Sequence, residues 1–404
     1  MTEVEVEELA REENSLIRSC KVKINGSYVT TPSRAVSVRK DAKTELNATA
    51  DLINNHYRPF GEVYVNVTLD YLSEIKTNDE LGQKFSLQLS NRLQELKEAG
   101  TIPYLVLSIL DNNKNPYNQL LAGDALELVF NILWGTPGNS VIVPPVLGVL
   151  PGEKQYLQFV NALEKRQKES IDRKPHPIMA YVPSSYNLID PKLLEKYWSI
   201  GCRMFSFNCE NKKYGAFGYI IEKVHTELSQ LSKRDNERYI LHALNSKFKV
   251  GRKDSSRINN LIGTGYGFDS YGPNHIQAKG SFSTSDRDFF LFNSGDYGFN
   301  TLGGILNLPK ADLEAIAKSK AFNRVDLEDI PELSTYKKDK LSALFNVEKA
   351  TKEIQVYPRY IENQDLFNYL SKKEKVSNET FIMRKLAEKT RSPSAQLKVS
   401  KWFS

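Results

Sequence analysis

Hydrophobic and polar positions divide the first 270 residues into short apolar runs separated by segments of helical period. Runs rich in β-branched and aromatic residues occur at 33–39 (SRAVSVR), 62–70 (EVYVNVTLD), 104–111 (YLVLSILD) and 141–147 (VIVPPVL). Four more follow at 177–182, 203–208, 239–245 and 266–270. Between them, apolar residues recur three or four positions apart. In 78–99 these are Leu81, Phe85, Leu87, Leu89, Leu93 and Leu96, and the spacing predicts an amphipathic helix. Similar helices are predicted at 117–134, 152–168, 191–200 and 214–232. Asn115-Pro116 and Asp190-Pro191 each place a cap residue before a proline at a first helical position. Several strands are apolar on both faces, as in a parallel sheet buried under helices. Eight strands in strict alternation with helices predict an α/β protein with a (β/α)8 TIM-like barrel. A doubly wound open sheet is the competing architecture.

The flanks read differently. Residues 1–17 hold six Glu against one Arg and predict an acidic, helical arm, assigned to 1–19. The stretch CKVKINGSYVTTPSRAVSV alternates apolar and polar residues around Asn25-Gly26, which predicts a β-hairpin. Residues 20–305 are assigned to the barrel with this hairpin and with a Gly-rich loop, 271–300, after the eighth strand. Residues 306–404 are assigned to a mostly helical, basic extension. From 310 to the end it carries 19 Lys and Arg against 14 Asp and Glu.

Composition narrows the class. The chain has 404 residues, with 40 % hydrophobic and 26 % charged residues, which excludes wholesale disorder. No apolar run approaches the ~20 residues that span a bilayer, and the acidic N-terminal stretch lacks the apolar core of a secretion signal. Cys20, Cys202 and Cys209 make neither a disulfide framework nor a Cys-rich zinc site. These features predict a cytoplasmic protein without a membrane partner and without a Cys-rich metal site. Net charge is +6, from 55 basic and 49 acidic residues, so the placement of charge matters more than its sum.

In such a barrel, functional side chains stand at the C-terminal ends of the strands. Asp111 closes the third run, and Asp269 is read as closing the eighth, in GYGFDSYG. Two carboxylates on strands three places apart would face each other over the mouth and suit two-carboxylate chemistry at a sugar carbon. Asp70, Tyr181, Asn208 and His242 are read at other strand ends or inside strands as substrate-binding groups. Phe268 and Tyr271 are read as rim aromatics able to stack a flipped base, with barrel core an equal reading for Phe268. His275, in the Gly-rich loop, carries no assigned role. The loop NSKFKVGRKDSSR places Lys247, Lys249, Arg252 and Lys253 after the seventh strand. With Arg39 and Lys40 they predict a phosphate-binding rim.

Together these residues resemble the tRNA-guanine transglycosylases and their DNA-modifying relatives over about residues 20–275. The hairpin with Thr31-Pro32 is similar to the family's entry into its barrel. The run RYILHALN, a short helix and GYGFDS are similar to its seventh strand, helix and eighth strand. The resemblance implies exchange of a guanine in nucleic acid for a 7-deazaguanine base such as preQ0. It casts Asp269 as nucleophile and Asp111 as the other catalytic aspartate, with no cofactor. The departures are several. Asp111-Asn112-Asn113-Lys114 replaces the family's Asp-Ser-Gly-Gly-Phe, and Pro144-Pro145 replaces its strand-4 carboxylate. The strand-5 and strand-6 ends differ, and the zinc site after the eighth strand is missing. They favour DNA over tRNA and a divergent, zinc-less branch. Two alternatives remain: a non-catalytic nucleic-acid-binding or partner subunit, in complex or as a homodimer, and a two-carboxylate glycoside hydrolase.

Overall fold

The structure, a computed structural model, describes residues 4–38, 44–110, 124–137, 140–147, 153–169, 176–184, 191–246, 260–276, 289–301, 304–305, 307–323 and 325–391. It is a mixed α/β fold with parallel sheets at its centre.

The chain opens with a three-stranded antiparallel sheet, β1 (Val4–Arg11), β2 (Arg18–Ile24) and β3 (Ser27–Thr31), in that order. The hairpin turns at Asn25-Gly26 and pairs Val22 with Val29, as its alternation predicts. The acidic arm is a strand instead of a helix. Val4 and Val6 alternate with Glu5 and Glu7, and this period of two pairs β1 with β2 from Val4↔Ile24 to Arg11↔Arg18.

The parallel strands follow: β4 (Ser33–Arg34), β5 (Val36–Ser37), β6 (Phe60–Val67), β7 (Ile102–Ile109), β8 (Val141–Leu147), β9 (Met179–Val182), β10 (Met204–Asn208), β11 (Ile240–Leu244) and β12 (Ser270–Tyr271). They form a four-stranded sheet, β5-β6-β7-β8, and a five-stranded sheet, β4-β12-β11-β10-β9. Only Ala35 separates β4 from β5, and a parallel bridge joins Ile142 of β8 to Ile178 beside β9. All eight residues of β7 are buried, which explains why IPYLVLSI shows no alternation.

Helices connect the strands: α1 (Thr44–Thr49), α2 (Leu69–Thr77), α3 (Asp79–Glu98), α4 (Asp124–Trp134), α5 (Glu153–Glu169), α6 (Pro191–Ser199) and α7 (Gly218–Asp235). Asn78 caps α3 through its side chain, and the helix buries Phe85, Leu89, Leu93 and Leu96, the stripe its spacing predicts.

Among the described residues, β12 is followed by a short antiparallel pair, β13 (Phe290–Phe292) and β14 (Phe299–Thr301), and by five α-helices. These are α8 (Lys310–Ala317), α9 (Thr335–Ile354), α10 (Tyr357–Glu362), α11 (Leu366–Ser371) and α12 (Ser377–Arg391). Two cores result. Phe289, Leu291, Ile316, Phe322, Ile330 and Phe345 form a small separate cluster. Ile354, Tyr357, Ile361, Leu370, Met383 and Leu386 belong instead to the main core, with the sheets. The last helices are also bonded to the first strands. Phe367 N donates to both carboxylate oxygens of Glu12 at 3.0 Å, and Gln364 Nε2 donates to Arg11 O at 2.7 Å.

Candidate functional site

The eighth parallel strand starts later than its sequence suggests. Asn260–Tyr266 forms a 3-10 helix, the chain turns at Gly267 (φ +86°), and β12 begins only at Ser270. Asp269 therefore enters the strand instead of closing it. Its N–H donates to Leu241 O at 2.8 Å, near the start of β11. Its carboxylate is gripped from the N-terminal sheet. Arg18 Nε donates to Oδ1 at 2.8 Å, Arg18 NH2 to Oδ2 at 2.7 Å, and Leu241 N to Oδ2 at 2.7 Å. The two side chains are 4 % and 1 % exposed, so the pair is desolvated. Burial opposes the Arg18 charge, but the Asp269 carboxylate outweighs it and raises the guanidinium pKa further. The neighbouring Cys20 thiol is pushed up to about 12, by burial first and then by Asp269. An aspartate with both oxygens engaged at the N-terminal edge of its strand is an anchor for the β1–β3 sheet. It does not face the strand ends where the sequence reading put a nucleophile.

Other predicted residues also take structural places. Asp70 is exposed in the first turn of α2, whose N-cap is Thr68, and there its charge favours the helix terminus. Phe268 is buried against Phe207 and Tyr214, and Tyr271 is buried beside Arg34 and Tyr57, so neither ring is a rim platform. His242 is fully buried. Its Nε2 lies 2.9 Å from the Tyr104 hydroxyl and its Nδ1 2.8 Å from Ser270 Oγ, and burial pushes its pKa down to about 3. It is a neutral, doubly engaged core imidazole. Asp111, Arg39, Lys40, Lys247, Lys249, Arg252 and Lys253 lie outside the described residues.

A polar network around Glu62, Tyr64 and His275 joins the interior of β6 to the segments that follow β11 and β12. Glu62, on β6, pairs across the sheet with Ser37. Its side chain has no solvent exposure, and its Oε2 lies 3.0 Å from His275 Nε2. Oε1 has no hydrogen-bond partner among the described residues. The His275 ring stacks on Tyr64, centroids 4.2 Å apart and planes inclined by 11°. The backbone holds this histidine in place, because His275 N donates to Asn245 Oδ1 at 3.1 Å. Asn245 adopts a left-handed conformation (φ +50°), which asparagine tolerates better than most residues. Its amide donates to the Tyr64 hydroxyl at 3.2 Å and to Asn208 Oδ1 at 3.1 Å. Asn208 in turn donates to the Tyr181 hydroxyl at 3.2 Å. Thus Tyr181, Asn208 and Asn245, from three adjacent strands, belong to one chain of bonds.

Gly272 makes the network possible. A Cβ there would stand 2.9 and 3.1 Å from the Glu62 oxygens and 3.1 Å from the Tyr104 hydroxyl. That hydroxyl is pushed well above its ordinary pKa, by burial first and then by the Glu62 charge. Sequence reading missed Glu62 and Tyr64. It gave Asn245 no part either, and it left His275 without a role. The available signal was a glutamate two residues inside a strand whose neighbours are apolar.

Among the described residues, no group of three or more His, Cys, Asp or Glu side chains is placed to hold a metal ion. No helix among them is long and apolar enough to cross a membrane. The sequence matches no protein-family model and no curated protein.

Proposed function

We propose that the chain is a guanine-transglycosylase-like (β/α)8 barrel that exchanges a base of nucleic acid, DNA before tRNA, for a 7-deazaguanine base. The strand pairings support a ring of eight, with β4 and β5 as one strand and the Ile142–Ile178 bridge as the remaining seam. The observation that carries the functional reading is the buried Glu62–His275 pair, in which a histidine just beyond the end of β12 reaches a carboxylate inside β6 and stacks on Tyr64. Asp269 has no part in this reading. Asp111, one residue beyond Leu110 at the end of β7, is the carboxylate left to attack C1′. The basic run Lys247, Lys249, Arg252 and Lys253 supplies phosphate contacts.

The test is to incubate the protein with labelled DNA or tRNA and a 7-deazaguanine base, and to score base exchange and an SDS-stable adduct. Exchange in the wild type, with the adduct lost in Asp111→Asn, is the expected result. Absence of exchange on both nucleic acids would overturn it.

A second reading, a non-catalytic nucleic-acid-binding or partner subunit, is favoured by one observation: the position that the resemblance casts as nucleophile is occupied by an aspartate locked to Arg18. It predicts binding without turnover. Neutralising the four basic residues would then flatten the salt dependence by roughly one logarithmic unit per lost phosphate contact.

A further inference from the structure

We propose that Tyr297, Tyr369 and Glu353 form an ammonium-recognition cage in the C-terminal extension. The Lys373 side chain of the same chain occupies it, and an alkylammonium ion takes its place when that side chain is removed. Neither the cage nor its occupant enters the base exchange proposed above.

Separate elements supply the parts. Tyr297 lies in the turn between β13 and β14, Glu353 near the end of α9, Tyr369 on α11, and Lys373 just beyond that helix. The Lys373 ammonium stands 4.1 Å from the Tyr369 ring centroid and 5.0 Å from that of Tyr297. Both distances fall within the ~6 Å over which a ring face attracts a cation. Its Nζ also donates to Ser294 O at 2.8 Å. One carboxylate oxygen sets both rings, because Glu353 Oε1 accepts from the Tyr297 hydroxyl at 2.8 Å and from the Tyr369 hydroxyl. Tyr360 stacks on the Tyr369 ring, centroids 4.2 Å apart, and the Tyr357 hydroxyl lies 2.8 Å from that of Tyr297. Both rings are thus held by groups other than the lysine.

The chemistry of the walls selects a cation. Two π-faces, a carbonyl and the Glu353 and Asp296 carboxylates bear on the ammonium. Burial pulls the Lys373 pKa below its ordinary value, and those two carboxylates oppose the shift, as for a cation drawn partly out of water. Tyr297 reaches its place through a left-handed backbone (φ +66°), an outlier for a bulky side chain. The turn holds it there: Tyr297 N donates to Asn293 O and Asn293 N to Gly298 O, both at 2.9 Å, and Lys375 N to Asp296 O at 3.1 Å. Backbone strain in the wall of a cation site favours recognition over plain packing. Tyr297 is buried, whereas Glu353, Tyr369 and Lys373 are half-buried, so the cage meets solvent on one side. A small ion can enter once the lysine's methylenes and Nζ are gone.

Two measurements on the full chain test the cage. The first is thermal unfolding of Lys373→Ala in propylammonium, which restores the missing atoms, with 1-propanol as the neutral counterpart at matched ionic strength. Propylammonium should stabilise the variant saturably. 1-Propanol should bind about 3–30-fold more weakly, and the wild type, whose cage is filled, should not respond. Affinities for the two compounds within twofold of each other, no saturable response to the cation, or the same response in the wild type overturns the cage. The second measurement is made on the wild type, by 1H–13C NMR of the Lys373 ε-methylene assigned through the backbone. Two ring faces should shift its protons upfield of those of the other lysines. A Lys373 shift within the range of the exposed lysines overturns the proposal, even if Lys373→Ala does not fold.

Discussion

Asp269→Asn separates an anchor from a nucleophile. The substitution keeps shape and removes charge. Arg18 is then left as a cation with its side chain 4 % exposed and with the Glu8 carboxylate, at 3.9 Å, in place of the counter-charge at 2.7 Å. Breaking a buried pair from one side typically costs about 3–5 kcal/mol, because the desolvation of the surviving charge is no longer offset. Arg18→Met strands the carboxylate and should cost a similar amount. The double variant removes both charges and should cost no more than either single change, giving a coupling of about 3 kcal/mol or more. Unfolding free energies from denaturant titration of the four proteins measure this directly, with two probes to check that the transitions coincide. A catalytic carboxylate behaves in the opposite sense, since neutralising it commonly leaves stability unchanged or raised. Additivity within about 0.5 kcal/mol, or a fully stable Asp269→Asn, would refute the anchor.

Three further outcomes are expected. His242 and His225 are both pushed down to about 3, His242 by burial and His225 by burial first and then the Arg18 charge, whereas unfolded histidines titrate near 6.5. Below pH 6.5 the unfolded chain binds the extra protons, so stability falls with pH by about 2 kcal/mol per histidine between pH 7 and 5. In His242→Gln, comparing unfolding at the two pH values, that loss should shrink by about 2 kcal/mol; an unchanged loss would count against it. Gly272→Ala should destabilise by about 1–3 kcal/mol, read by denaturation, since its Cβ would meet the Glu62 oxygens at 2.9 and 3.1 Å. Tyr104→Phe removes the partner of a buried imidazole nitrogen and should cost about 1–3 kcal/mol, whereas a neutral result would mean that His242 does not depend on that bond.

Much of the framework was legible because it is periodic. The stripe of α3, the unbroken apolar runs of the parallel strands and the hairpin turn are local signals, and β8 lies at 141–147 as the pattern predicts. The errors arise where local and tertiary signals part. Glutamates in the first 17 residues suggest helix, but Val4 and Val6 answer to a partner strand. The aromatic run YGFDS looks like strand, yet Tyr266 ends a 3-10 helix and packs on Tyr214, and a side chain at Gly265 would collide with Met383 of α12. This moved the start of the eighth strand, and with it the role of Asp269. The Glu62–His275 pair joins residues 213 apart, and no periodicity announces such a meeting.

The bonds between the first strands and the last helices govern when the protein can finish folding. Glu13 and Gln364 are 351 residues apart, and Arg391 reaches back across 377 to Asn14. During synthesis at ~5–20 residues per second, the N-terminal sheet would wait roughly 20–70 s for these partners. Until then, the backbone of β1 and the carboxylate of Glu12 stand open to other contacts. The chain is laced shut at its two ends, so a shortened C-terminus should unsettle the strands made first more than the parallel strands made between.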